Sequence, residues 1–156
     1  MILLDTNILL RYASSADPAF ATVDVSINIL HASGEVLCVV PQGVYEFWAA
    51  ATRPIAANGL GLSVPECQVQ VARIARLFRF LPDLPTLYSE WEALVGTHAC
   101  QGRVSFDARL VAAMRTYGVT RLLTFNVADF VRFPGLTILD PVVIAATAIT
   151  PPSTAP

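Results

Sequence analysis

Four carboxylates in this chain sit where a carboxylate is hard to place: Asp5, Glu46, Asp107 and Asp129. Asp5 ends the first apolar run, Met1-Ile2-Leu3-Leu4. Glu46 lies within Val44-Tyr45-Glu46-Phe47-Trp48-Ala49, a stretch with no polar face to receive it. Asp107 shares i, i+4, i+7 spacing with Val111 and Met114, so it points along the apolar side of its helix rather than into water. Asp129 follows an apolar run at Leu122 and Leu123. Each acid has a plainer reading as a helix cap, a surface glutamate, a partner of a helix dipole or a turn residue. Taken together they look convergent. Convergent carboxylates raise one another's pKa unless a cation shares the space, so the chemistry they offer is metal-dependent.

The elements that must gather them alternate along the chain. Ile2 to Leu4 reads as a short buried strand, followed by a helix around Ile8 to Ala13. Ser14-Ser15-Ala16-Asp17-Pro18 breaks that helix, and an amphipathic one runs from about Ala19 to His31, closed by Gly34 at the usual left-handed cap position. Val36 to Val40 is a second apolar strand, and Pro41 opens the helix that carries Glu46. Asn58-Gly59-Leu60-Gly61 is a loop, and Ser63-Val64-Pro65-Glu66 has the capping-box spacing of a helix start. Val64, Cys67, Val71, Ile74 and Phe78 mark one face of that helix, with Arg73 and Arg76 on another. A short strand near Arg79 to Leu81 precedes a helix through Leu87, Trp91 and Leu94. Ser105 is placed to cap the next helix, which Gly118 ends. Leu122 and Leu123 form another strand, and Thr137 to Leu139 can form a last one.

Strands that read as continuous apolar runs and alternate with helices predict an α/β fold, a single domain with a central parallel sheet flanked by helices on both faces. The domain is expected over residues 1–141, with a partly disordered C-terminal tail over 142–156, where Pro151, Pro152 and Pro156 gather. In open parallel sheets ligands bind at the carboxyl ends of the strands. Asp5 ends the first strand, and Glu46 lies in the second turn of the helix after the second. Asp107 is in the first turn of a helix that runs antiparallel to the strands, and Asp129 follows the strand at Leu122. All four land on one rim.

Bulk properties narrow the classes. A chain of 156 residues is one compact domain, and 54% hydrophobic residues exclude disorder. Only 14% of residues are charged, against about 25% in an average soluble protein, so a surface buried by a partner or a second copy is expected. The net charge of −2 argues against a non-specific nucleic-acid coat. All ten basic residues are arginine. Without lysine there is no phosphate-binding P-loop, and receiver domains and haloacid-dehalogenase phosphatases, which also need one, fall away. Arginine still suits phosphate through its planar fork. Cys38, Cys67 and Cys100 read as buried small hydrophobes in a reducing cytosol. With only His31 and His98, a zinc site of the usual kind is not expected. Neither a signal peptide nor an apolar stretch of membrane-spanning length is expected, so the protein reads as soluble and cytoplasmic.

Four segments carry a resemblance. Asp5-Thr6-Asn7-Ile8-Leu9-Leu10, the context of Glu46, Ser105-Phe106-Asp107-Ala108-Arg109-Leu110-Val111-Ala112-Ala113 and Leu123-Thr124-Phe125-Asn126-Val127-Ala128-Asp129-Phe130 together resemble the PIN-domain family. The likeness is greatest to the VapC-type ribonuclease toxins of bacterial toxin–antitoxin pairs and runs in order from Met1 to about Pro141. It implies an endoribonuclease that uses one or two magnesium or manganese ions, commonly a homodimer, held inactive by a cognate antitoxin. It assigns Asp5, Glu46 and Asp107 to the three most regular acidic positions, and Thr6 and Thr124 to hydroxyl positions that hold carboxylates, with Asn7 and Asn126 beside them. Many members carry an acid where this chain has Asn126; either Asp129 supplies the fourth carboxylate or the asparagine takes a water-mediated place. A bound ion would activate water for in-line attack on a phosphodiester, leaving a 5′-phosphate and a 3′-hydroxyl. Arg11, Arg73, Arg76, Arg103 and Arg115 are candidates for holding the RNA substrate. Two rival readings are a catalytically silent PIN-like module whose acidic pocket captures a partner's arginine, and a flap-type DNA-structure nuclease, for which the chain is short.

Overall fold

The computed structural model describes residues 1–148. Its strands are short, and apolar except at Arg79, Arg121 and Thr137: β1 (Ile2–Leu4), β2 (Leu37–Val39), β3 (Arg79–Phe80), β4 (Arg121–Leu123) and β5 (Thr137–Leu139). They form one sheet in the order β3-β2-β1-β4-β5, and every neighbouring pair is parallel. Ile2 pairs with Leu37 on one side of β1 and with Arg121 on the other. The helices are α1 (Thr6–Ala13), α2 (Phe20–Ala32), α3 (Pro41–Ala51), α4 (Val64–Leu77), α5 (Leu87–Thr97), α6 (Val104–Thr116), α7 (Val127–Phe130) and α8 (Pro141–Thr147).

Successive strand residues point to opposite faces, which divides the interior into two cores. Leu3, Cys38 and Leu122 enter one core with Leu94 of α5 and Val111 and Met114 of α6. Ile2, Leu4, Leu37, Val39 and Leu123 enter the other with residues of α1 to α4, among them Ile8, Ile27, Phe47 and Ile74. A strand apolar on both faces needs helices on both. The sandwiched parallel sheet expected from the sequence follows.

Local chemistry sets the helix ends. Gly34 closes α2 at φ 77° and Gly118 closes α6 at φ 64°, left-handed positions that glycine takes without a Cβ clash. Ser63 and Glu66 form the expected capping box at the start of α4, with Ser63 N donating to Glu66 Oε2 at 2.8 Å. Three details differ from the sequence reading. Val64 belongs to that capping turn and is exposed, so the buried face of α4 is Cys67 and Ile74, continued by Phe78. Helix α6 starts two residues earlier than a Ser105 cap would place it, and the Ser105 hydroxyl donates instead to Gly102 O at 2.7 Å. Asp107 keeps its place in the first turn. Asp129 sits on the short helix α7 rather than in a simple turn.

The expected domain boundary at residue 141 falls at the first residue of α8. Asp140 caps that helix, its Oδ1 accepting from Val142 N at 2.8 Å. Ser26 of α2 anchors its start, with Oγ 2.7 Å from Pro141 O. The disorder expected from Thr150 lies outside the described residues.

Candidate active site

The strand order reverses beside β1. The crossover from β1 leads to β2 on one side, whereas β4 returns to the other, so the crevice between β1 and β4 is the switch point where such sheets bind ligands. Asp5 and Thr124 are the first residues beyond these two strands. Their main chains are tied by Asp5 N donating to Leu123 O at 3.0 Å. The Thr124 hydroxyl donates to Asp5 Oδ2 at 2.6 Å, and Asn7 Nδ2 donates to the same oxygen at 2.6 Å. Thr124 Oγ1 in turn accepts from Asn126 N at 2.9 Å. Asn7 Oδ1 accepts from Phe125 N at 3.3 Å, which fixes the amide's orientation. Thus Asp5 is held through Oδ2 by two side chains, and the residue lines a cleft.

Glu46 approaches from α3 and is held at both oxygens. The Thr6 hydroxyl donates to Oε2 at 2.8 Å, and Gln42 Nε2, one helical turn earlier, donates to Oε1 at 2.8 Å. Gln42 is 7% exposed and is itself anchored. Its Nε2 lies 3.0 Å from Phe106 O, next to Asp107, and its Oε1 accepts from Arg109 Nη1 at 3.1 Å. Arg109 then bridges to Asp83 at 2.6 Å. This chain of contacts couples α3 to α6, and so the position of Glu46 to that of Asp107.

Asp5, Glu46, Asp107 and Asp129 all line a single cleft of about 760 Å³, together with Asn126. Its electrostatics are those of crowded acids. Burial pushes the Asp107 carboxyl up from 3.8 to about 6, and the charges of Asp129, Asp5 and Glu46 add to the rise, against a smaller pull from Arg132. Burial also raises Asp5, with Glu46 contributing, while the Thr124 hydroxyl opposes. Such a site favours either protons or a cation. Among the described residues no three His, Cys, Asp or Glu side chains already enclose a point where a metal ion would sit. Magnesium does not require that: it is held through one or two carboxylates, with waters and substrate phosphates completing its shell. An all-oxygen donor set with unneutralised charge fits magnesium or manganese.

The arginines divide. Arg103 lines the cleft. Arg11 stacks over Phe125, 4.6 Å from the ring centroid, and donates to Asn7 O at 3.1 Å, which braces the loop beneath the site. Arg73 stacks over Tyr12, Arg115 pairs with Glu90, and Arg76 is exposed on α4. Sequence reasoning did not single out Gln42, Arg109 or Arg53, the last of which also lines the cleft. Gln42 left a signal, since a polar residue four before Glu46 on an apolar helix is placed to meet it. Arg109 and Arg53 left none.

No known family profile matches this sequence, and no curated protein matches it. Solved structures do. One is the VapBC2 complex of Rickettsia felis bound to a promoter DNA fragment, with TM-score 0.67, 14% identity and coverage of 90% of this chain and 98% of that one. A toxin–antitoxin complex from Klebsiella pneumoniae aligns with TM-score 0.61, 19% identity and coverage of 90% and 98%. VapC20 of Mycobacterium tuberculosis, described as a toxin that cleaves the sarcin–ricin loop, aligns with TM-score 0.59, 18% identity and coverage of 78% and 87%. Likeness at these identities establishes the architecture: the chain has the α/β fold of these solved structures, that of the toxin VapC20 among them.

Proposed function

We propose that the protein is a metal-dependent endoribonuclease that hydrolyses RNA phosphodiester bonds, the toxin of a toxin–antitoxin pair. The observation that carries this reading is the gathering of Asp5, Glu46, Asp107 and Asp129 around one cleft at the sheet's switch point, with Asp107 raised to about 6. Asp5 and Asp107 would hold the cation, with Glu46 and Asp129 completing the acidic wall. When bound there, magnesium or manganese supplies activation of water and neutralisation of phosphate charge.

The chain's own residues do the rest. Thr124 and Asn7 fix Asp5 in one rotamer by hydrogen bonds to Oδ2, so the carboxylate would meet a cation at no further cost in side-chain freedom. Glu46, clamped by Thr6 and Gln42, is placed to orient the attacking water and take its proton. Water attacks phosphorus, the bond to the 3′-oxygen breaks, and that oxygen leaves with a proton. The products are a 5′-phosphate and a 3′-hydroxyl.

The fold neighbours in toxin–antitoxin complexes support a protein partner for this chain, whose arginine could occupy the same acidic cleft. Exposed Val64, Val69, Leu77 and Phe80 support a second copy as a further partner. No helix among the described residues is long and apolar enough to cross a membrane, and the reading places a homodimer in the cytoplasm.

The test is incubation of purified protein with a pool of structured RNAs in magnesium, manganese or EDTA, beside Asp5→Ala. Cuts that need metal and vanish in the variant support the nuclease. A folded, antitoxin-free protein silent in every metal sinks it and favours the alternative, a catalytically silent binding module whose acidic pocket captures a partner peptide.

A further inference from the structure

Beyond its acids, the cleft is lined by groups with no part in holding a cation. Arg53 reaches it from the loop after α3, Arg103 from the turn before α6, and Phe106 from the first turn of α6 beside Asp107. The three ion pairs among the described residues engage Arg109, Arg115 and Arg121, so neither Arg53 nor Arg103 has an acidic partner there. Both are exposed. Phe106 is 58% exposed, unusual for a phenylalanine. Its exposure is not the fraying of a loose end. The Phe106 carbonyl accepts from buried Gln42, and Asp107 and Ala108 follow it directly in the helix.

The Arg53 backbone is built with equal care. Gly61 N donates to Arg53 O at 2.9 Å, and a Cβ on Gly59 would lie 2.0 Å from that same oxygen. Leu60 N and Leu62 N return to Ala50 O and Ala51 O, at 3.3 and 2.9 Å. The loop thus folds back on the end of α3 and sets where Arg53 emerges.

We infer that Arg53, Arg103 and Phe106 form a binding track for single-stranded RNA across the acidic cleft, the two arginines taking backbone phosphates and Phe106 stacking on an unpaired base. The inference rests on the nuclease reading for the place of the scissile phosphate. Two forked cations without acidic partners suit phosphates, and a rigidly based exposed ring suits the face of a base. Bases in an A-form duplex are stacked on one another, so only a splayed or single-stranded base can reach the ring. Specificity for unpaired RNA therefore comes from Phe106, and register from the arginines.

The test is fluorescence anisotropy of a labelled single-stranded RNA ten nucleotides long, with magnesium, in an Asp107→Asn background that keeps the RNA intact. Phe106→Ala is expected to weaken binding at least about fivefold without changing its salt dependence, and Phe106→Tyr to restore it. Arg53→Ala and Arg103→Ala are each expected to weaken binding and lower the slope against log salt by about 0.7. Tyr88→Ala, an exposed ring in a separate groove, should bind as the parent does. Equal affinity across folded variants, or tighter binding of the duplex, overturns the track. Cleavage by the wild-type chain is read in parallel. Cuts with unaffected variants would refute the track alone, and track-dependent binding without any cuts would refute the nuclease alone.

Discussion

Replacing Asp107 by asparagine should make the metal-free protein more stable at neutral pH. The side chain keeps its shape and loses the charge that Asp129, Asp5 and Glu46 oppose. A rise in the Asp107 carboxyl from 3.8 to about 6 corresponds to roughly 3 kcal/mol at 1.36 kcal/mol per pH unit. Asp107 is only half-buried, and solvent screens part of that energy, so a gain of about 1–2 kcal/mol is the expected size. The folded carboxyl holds its proton more tightly than the unfolded one. Its contribution to stability is therefore undiminished below about pH 4, falls as pH rises to about 6 and is constant above. The advantage of the variant should follow the same course, absent at pH 4 and complete by pH 7. In a thermal melt, a domain of this size should gain roughly 3–6 °C at pH 7. Added manganese should reverse the ranking, since ligand at 100 times its dissociation constant stabilises the wild type by about 2.7 kcal/mol. The assay is urea or thermal unfolding of both proteins from pH 4 to 8 in EDTA and in manganese. A variant less stable than wild type at pH 7, by an amount independent of pH, would refute the electrostatic reasoning.

Gln42→Leu should lower turnover about tenfold with little change in KM, because Glu46 loses its Oε1 donor while the cleft stays open. It should also cost roughly 1–3 kcal/mol in unfolding experiments, since Arg109 and Phe106 O lose their partner as well. Gly59→Ala should destabilise by roughly 1–3 kcal/mol, because the new Cβ meets Arg53 O at 2.0 Å and the loop must shift; a melt indistinguishable from wild type would contradict this. Thiol titration of the native protein should modify Cys100 first, with Cys67 and Cys38 reacting only on unfolding. Both are buried, and burial pushes the Cys38 thiol up to about 11.

The sheet was legible because β1 and β2 are apolar on both faces and its helix ends carry local chemistry, as at Gly34, Gly118 and the Ser63–Glu66 box. The four acids were legible because each stands in an apolar or strand-end setting that explains nothing else about it. What escaped depended on tertiary neighbours. Ser105 has the right type for a cap, but its hydroxyl turns to Gly102 O, and which way a serine turns is not written in spacing. Helix α8 escaped because Val142, Val143 and the alanines after them form no sharp apolar stripe; Ser26 and the face of α2 supply its support. Arg11 stacks on Phe125 of the loop beyond β4, a partner that spacing along the chain does not reveal. Arg109 joins the site only because α3 and α6 meet at Gln42.

The measurement that bears most directly on the account is the chemistry of the cut ends. A single RNA that the protein cleaves should be treated in manganese with wild-type protein and with Asp107→Asn, and both new termini identified. Hydrolysis directed by the acidic cleft predicts 5′-phosphate and 3′-hydroxyl ends, made by the wild type alone and abolished by EDTA. Ends bearing a 2′,3′-cyclic phosphate, or cuts that persist in EDTA or in the folded variant, would contradict it.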